Sequence, residues 1–237
     1  MPDNGWVTLE NKVVLITGAK GGLGSSVTRA FLDAGATVVG VSRSIAGADF
    51  PHPRFTAMPA TLSNGDAART LAAAVVARHG RIDALVHLVG GWAGGASVAE
   101  TDDAMLEAML DVNVRSAFHM ARAVVPHMRA RGSGRILAIG SRAAVEASPM
   151  MAAYSAAKAA LVALIRALAA ENRDRGIAAN VILPGTLDTP ANRAADPSAD
   201  FTAWVQPDQV ASLLVYLASD TASQVTGAAI PVYGSQV

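Results

Sequence analysis

The chain has 237 residues, of which 51% are apolar and 16% charged, with a formal net charge of zero and no cysteine. That balance gives no electrostatic reason to expect a nucleic-acid partner or an anionic membrane. Disulfide and thiolate chemistry are excluded, and zinc would need histidines and carboxylates alone, whereas His52, His79, His87, His119 and His127 are scattered without an H-x-x-x-H pair.

The length suits one α/β domain. The N-terminus lacks a basic start followed by an apolar core, so it does not read as a signal peptide. The most apolar run, 159–170, is interrupted by Arg166 and is too short to cross a bilayer. The expectation is a soluble, cytoplasmic chain. Its high alanine content and large apolar helix faces suggest that some surface is buried against another subunit.

In chain order, "KVVLIT" (12–17) predicts a strand, followed by a glycine cluster and the helix "SSVTRAFLDAG" stopped by Gly35. "TVVGVS" (37–42) and "RFTAM" (54–58) are the next strands. A helix over 66–80 leads to a buried strand at 82–89, and one long helix covers roughly 101–130. Strand 134–140, helix 152–174, strand 177–185, a helix opening at Pro207 and strand 228–233 complete the order. The Pro/Asp/Ala-rich stretch 190–204 reads as an insertion loop or lid. Nearly all-apolar strands alternating with helices predict a single α/β domain, a doubly wound parallel sheet covered on both faces, of Rossmann type.

"TGAKGGLG" (17–24) stands between the first strand and the first helix. A pyrophosphate approaching a helix N-terminus needs bare backbone, which Gly18, Gly22 and Gly24 supply, with Leu23 between them. A glycine turn alone is weak evidence; strand before and helix after make it a dinucleotide site. At the end of the second strand, an acid would bind the adenosine ribose diol. Here Ser42 and Arg43 follow, with Lys20 in the glycine loop; a hydroxyl and two cations suit a 2′-phosphate. NADP(H) is therefore favoured, with NAD(H) possible; the competing reading leaves Arg43 as a solvated surface residue.

"YSAAK" places Tyr154 and Lys158 four apart, on one helix face, in a chain with three tyrosines and three lysines. A tyrosine near its ordinary pKa of about 10 is a poor acid–base catalyst at neutral pH. A neighbouring ammonium, together with an oxidised nicotinamide, would favour the phenolate and fit Tyr154 to donate a proton as hydride arrives. Ser141 follows the fifth strand, at the sheet edge where such folds hold ligands, and could hydrogen-bond the substrate oxygen; otherwise it is an ordinary loop serine. Asn113, on the long helix, could orient a water beside Lys158, or lie on the surface. After the sixth strand, Pro184 and Gly185 open a loop in which Leu187 and Thr189 could meet the nicotinamide carboxamide.

Taken together, these motifs resemble the short-chain dehydrogenase/reductase family across essentially the whole chain: T-G-x-x-x-G-x-G, the helical Asn, the Ser, Y-x-x-x-K and P-G-x-x-x-T occur in the family's order. The resemblance implies hydride transfer from a nicotinamide, a small-molecule substrate, an oligomer, and Asn113, Ser141, Tyr154 and Lys158 as a catalytic tetrad. Two departures stand out. His87-Leu88-Val89-Gly90 replaces the family's N-N-A-G, and Thr61-Leu62 stands where an Asp usually meets adenine.

"LVGGWAGGAS" (88–97) has its place in that frame. Gly90 and Gly91 let the nicotinamide ribose approach, and Trp92 sits beside the substrate, able to stack on a flat ring, or folds onto the domain edge. This loop and 187–204 also resemble segments of dihydropteridine reductase, which reduces quinonoid dihydropterins; Ser141 and Ser42-Arg43 depart from it. Three functions are weighed: reduction of a C=O or conjugated C=N in a small cyclic or aromatic substrate, quinonoid dihydropteridine reduction, and non-catalytic NADP(H)-dependent regulation.

Overall fold

The computed structural model describes residues 7–62, 64–146 and 148–235. Seven parallel strands form one sheet: β1 (Val13–Thr17), β2 (Thr37–Ser42), β3 (Phe55–Pro59), β4 (Ala84–His87), β5 (Gly134–Ile139), β6 (Ile177–Pro184) and β7 (Ala229–Val232), ordered β3-β2-β1-β4-β5-β6-β7. Every residue of β1 and β6 is buried. Because successive side chains point to opposite faces, an unbroken apolar strand needs cover on both.

That cover comes from two helical layers. Val13 and Leu15 face a core with α2 (Gly65–His79), α4 (Ser116–Arg131) and α5 (Ala152–Glu171). Val14 and Ile16 face the other core, with α1 (Gly22–Asp33) and α7 (Pro207–Ala218). Local signals set the helix limits. Asn64 caps α2 by accepting from Ala67 N–H at 3.0 Å, and Gly80 ends it with φ 77°.

Strand order reverses beside β1, which pairs with β2 on one side and β4 on the other. Such a switch point opens a crevice beyond the strands' C-terminal ends, where ligands bind. The doubly wound Rossmann-type sheet expected from the sequence is the one observed.

The expected single helix over 101–130 is interrupted. It consists of α3 (Asp103–Leu110), a π-helical turn at Asp111–Arg115, and α4. Asn113 lies in that turn, fully buried, its amide donating to the Met109 carbonyl at 3.1 Å. A single π turn of this kind is common at functional sites.

Residues 190–204 are not a plain loop. Thr189 caps a short helix, α6 (Pro190–Ala195), and a 3₁₀ turn at Phe201–Ala203 leads to the buried Trp204. A bridge between Leu187 and Val205 closes the base of the excursion. The apolar run 159–170 lies inside the helix expected over 152–174: α5 has 20 residues and matches a membrane span in length and composition. Its Leu161, Ile165 and Leu168 are buried in the sheet's core.

Candidate active site

The first part of the site is built by the turn from β1 into α1. The helix starts at Gly22, one turn earlier than the sequence suggested, with no side-chain cap and no acid in its first turn. Its N-terminal N–H groups are thus left to a ligand, and the helix dipole favours an anion there. Gly24 shows why no side chain is tolerated: a Cβ would lie 2.0 Å from the Gly18 carbonyl oxygen. Thr189 packs against Gly22, so the loop after β6 reaches the same helix start.

From this turn a cleft of about 650 Å³ runs along Gly18, Ser42, Arg43, Thr61 and Leu62 to Val112 and His119. A cleft bordered by Gly18 and Gly21, at the uncapped N-terminus of α1, fits a dinucleotide. Lys20 is placed differently from its expected partners. Its ammonium pairs with Asp49 at 2.8 Å and donates to the Ser44 carbonyl at 3.2 Å. Asp49 is a residue that sequence reasoning missed; it lies in an irregular stretch with no periodicity to mark it.

A second cavity, of about 690 Å³, is lined by Ser141, Tyr154, Lys158, Gly90, Gly91 and Trp92. Leu23, Pro184, Gly185 and Leu187 also border it, so the glycine turn and the loop after β6 meet the α5 pair here. Tyr154 and Lys158 stand one turn apart on α5, the Lys158 Nζ lying 5.8 Å from the tyrosine ring centroid. Lys158 is buried and donates to the Ile139 carbonyl at 2.9 Å.

The electrostatics differ from the sequence expectation in one respect. Burial pushes the Tyr154 phenol above its ordinary pKa, while a hydrogen bond with Ser141 acts in the opposite direction. Burial also lowers the Lys158 ammonium to about 8. Both groups are driven toward their neutral forms because desolvation penalises charge. The neighbouring ammonium does not by itself pull the phenol down.

Asn113 does not lie on the surface. Its side chain accepts from Gly91 N–H at 3.2 Å and donates to the Gly91 carbonyl at 3.0 Å, clamping the glycine loop. A Cβ on Gly90 would fall 3.0 Å from Asn113 Oδ1 and 3.2 Å from Lys158 Nζ. Bare backbone at Gly90 therefore lets both the Asn113 amide and the Lys158 ammonium approach the loop. Further along the loop, Gly95 N–H donates to the Met150 carbonyl at 2.8 Å, tying it to the approach to α5. Trp92 projects from this loop, 62% exposed, over the second cavity. Arg142, Glu146 and Asn192 line the same cavity and were not singled out from the sequence. Arg142 follows Ser141 directly and pairs with Glu146 at 2.6 Å.

His87, where the family has Asn, is fully enclosed between β1 and the start of α4. Its Nδ1 lies 2.9 Å from Thr17 Oγ1 and its Nε2 3.1 Å from Ser116 Oγ. Ser116 donates its own proton to the Val112 carbonyl at 2.7 Å, so it accepts from Nε2–H. Thr17 then donates to Nδ1, which fixes a neutral imidazole, and burial lowers its pKa to about 3.

Comparison with known proteins agrees with this architecture. The short chain dehydrogenase family model matches residues 12–200. The chain is 33% identical to a 2-dehydro-3-deoxy-D-gluconate 5-dehydrogenase of Pseudoalteromonas atlantica, covering 96% of both chains. It is 30% identical to a 3-oxoacyl-[acyl-carrier-protein] reductase of Thermotoga maritima, covering 97% of this chain and 99% of the relative. The crystal structure of gox2181 superposes with a TM-score of 0.89 at 29% identity over 96% of both chains. The chain belongs to the short-chain dehydrogenase/reductase family. It is an oxidoreductase of that family, whose members use a nicotinamide dinucleotide, NAD(H) or NADP(H).

Proposed function

We propose that the chain is an NADP(H)-preferring reductase that reduces a C=O, or a conjugated C=N, in a small cyclic or aromatic substrate. The observation that carries this reading is the hydrogen bond between Tyr154 and Ser141 in a cavity shared with Lys158 and bordered by the glycine turn. The 3-oxoacyl reductase among the relatives is in line with reduction at a carbonyl.

Bound nicotinamide dinucleotide supplies the hydride. Ser141 donates a hydrogen bond to the substrate oxygen, and Tyr154 delivers the proton that completes the alcohol. With Tyr154 held protonated by burial, the chain is set up as an acid in the reducing direction. Lys158 faces the resulting phenolate with its ammonium, and Asn113 holds Gly91 in place beside it. Trp92 offers a flat apolar surface at the cavity mouth, which supports a ring-bearing substrate. Arg43 and Ser42 in the cleft support a 2′-phosphate, and Thr61 and Leu62 border it where the family's Asp would meet adenine. The same reading has a cytoplasmic homodimer or homotetramer, which sedimentation checks.

The test is NADPH oxidation followed by absorbance across a panel of cyclic and aromatic ketones beside quinonoid dihydropterin, repeated with NADH and with Arg43→Ala. Ketone turnover that favours NADPH and weakens in Arg43→Ala is the expected result. Dihydropterin turnover that survives Ser141→Ala would replace this reading with a pterin-reductase-like one. Dinucleotide binding without turnover anywhere in the panel would replace it with non-catalytic regulation.

A further inference from the structure

We propose that Asp49 sets how strongly this chain discriminates a 2′-phosphorylated dinucleotide from its unphosphorylated counterpart, by holding Lys20 in an ion pair that the phosphate must share or break. The proposal rests on the NADP(H) reading of the Ser42–Arg43 end of the cleft.

The Lys20 ammonium is positioned for this role. It donates to the Ser44 carbonyl at 3.2 Å, next in sequence to the cleft-lining Arg43 and two residues from Ser42. Its other partner is Asp49, Nζ to Oδ1 at 2.8 Å. The carboxylate is fixed from a second direction, Oδ2 accepting from Ala46 N–H at 2.8 Å across the turn that follows β2. Both contacts hold the Asp49 carboxyl below its ordinary pKa, and the pair is charged at neutral pH.

A phosphate arriving beside Ser42 and Arg43 therefore meets an ammonium whose charge is already balanced, with a carboxylate behind it. Like charges brought this close repel, and a shared cation attracts each anion less. Asp49 makes the 2′-phosphate preference weaker than Ser42, Arg43 and Lys20 would produce together. It also keeps Lys20 folded against the β2 exit.

Calorimetric titration with adenosine 2′,5′-bisphosphate and with 5′-AMP, at one ionic strength, separates this effect from general adenosine binding. Asp49→Asn keeps the acceptor for Ala46 N–H and removes the charge. It should tighten the bisphosphate about three- to tenfold and leave 5′-AMP unchanged, as expected of a partly exposed charge pair. Lys20→Met should weaken the bisphosphate selectively, and in the double variant the gain from Asp49→Asn should disappear. NADPH-over-NADH ratios of kcat/KM should move in parallel. Bisphosphate affinity unchanged in Asp49→Asn, or changed equally with 5′-AMP, would overturn the proposal. If the wild type binds 5′-AMP as tightly as the bisphosphate and Arg43→Ala alters neither, the NADP(H) reading fails. A selective gain in Asp49→Asn would still uphold the role of Asp49.

Discussion

Thr17 and His87 end neighbouring parallel strands in direct register, and the threonine hydroxyl meets the imidazole Nδ1 at 2.9 Å. With Ser116 on Nε2, the ring is satisfied on both sides only as a neutral base. This hydrogen-bonded chain ties β1 and β4 to the start of α4, where Ser116 borders the first cleft.

A neutral buried histidine makes the fold sensitive to acid. Its folded pKa of about 3 lies below the ordinary 6.5. Between those values the unfolded chain holds the extra proton, so stability is lost as pH falls below 6.5. The loss between pH 6.5 and 4 should be about 3 kcal/mol from this residue. His87→Asn, which removes the titrating ring and keeps a polar side chain, should flatten that part of the curve. Urea unfolding at pH 4, 5 and 6.5 checks this; an equal acid loss in both proteins would assign it elsewhere.

Lys158 has the same sign at higher pH. Burial lowers it from 10.5 to about 8, so between those values the unfolded chain is the more protonated. The desolvation penalty is present at neutral pH and is relieved as pH rises through 8. Relative to Lys158→Met, the wild type should gain roughly 2 kcal/mol between pH 7 and 10. Thermal or urea unfolding of the cofactor-free pair measures the difference. A gap that stays constant with pH would contradict a buried ammonium.

Gly90→Ala tests the packing at the centre of the site. Its added carbon would press on Asn113 Oδ1 and Lys158 Nζ, at 3.0 and 3.2 Å. Overpacking of this kind costs about 1–3 kcal/mol, and here the strain falls on the clamp over Gly91. Turnover should drop at least tenfold while stability changes within that range. Unchanged kinetics would show that the clamp is not needed.

Much of this was legible because it is local. Strands such as β1 are apolar on both faces, and "YSAAK" reports a shared helix face by spacing alone. The π turn at Asp111–Arg115 was not, since inserting one residue into a hydrogen-bonded ladder leaves composition and periodicity nearly unchanged. Asn113 was recognised, but its burial and its hold on Gly91 depend on contacts 22 residues apart. The Thr17–His87 bond spans 70 residues. Lys20 reads as a phosphate ligand because its charge is visible in the sequence and its pairing with Asp49 is not. The tyrosine's direction of shift was also obscure, because burial, the larger influence, is a property of the folded chain.

Kinetics of Tyr154→Phe test the central claim most directly. The change removes one hydroxyl and leaves the ring, its place on α5 and the Lys158–Ile139 hydrogen bond. Fluorescence titration should show NADPH bound as tightly as in the wild type. Steady-state NADPH oxidation with the best ketone from the panel should fall by about 10²- to 10⁴-fold, the usual contribution of a positioned general acid. Near-normal turnover with intact binding would contradict proton delivery by Tyr154.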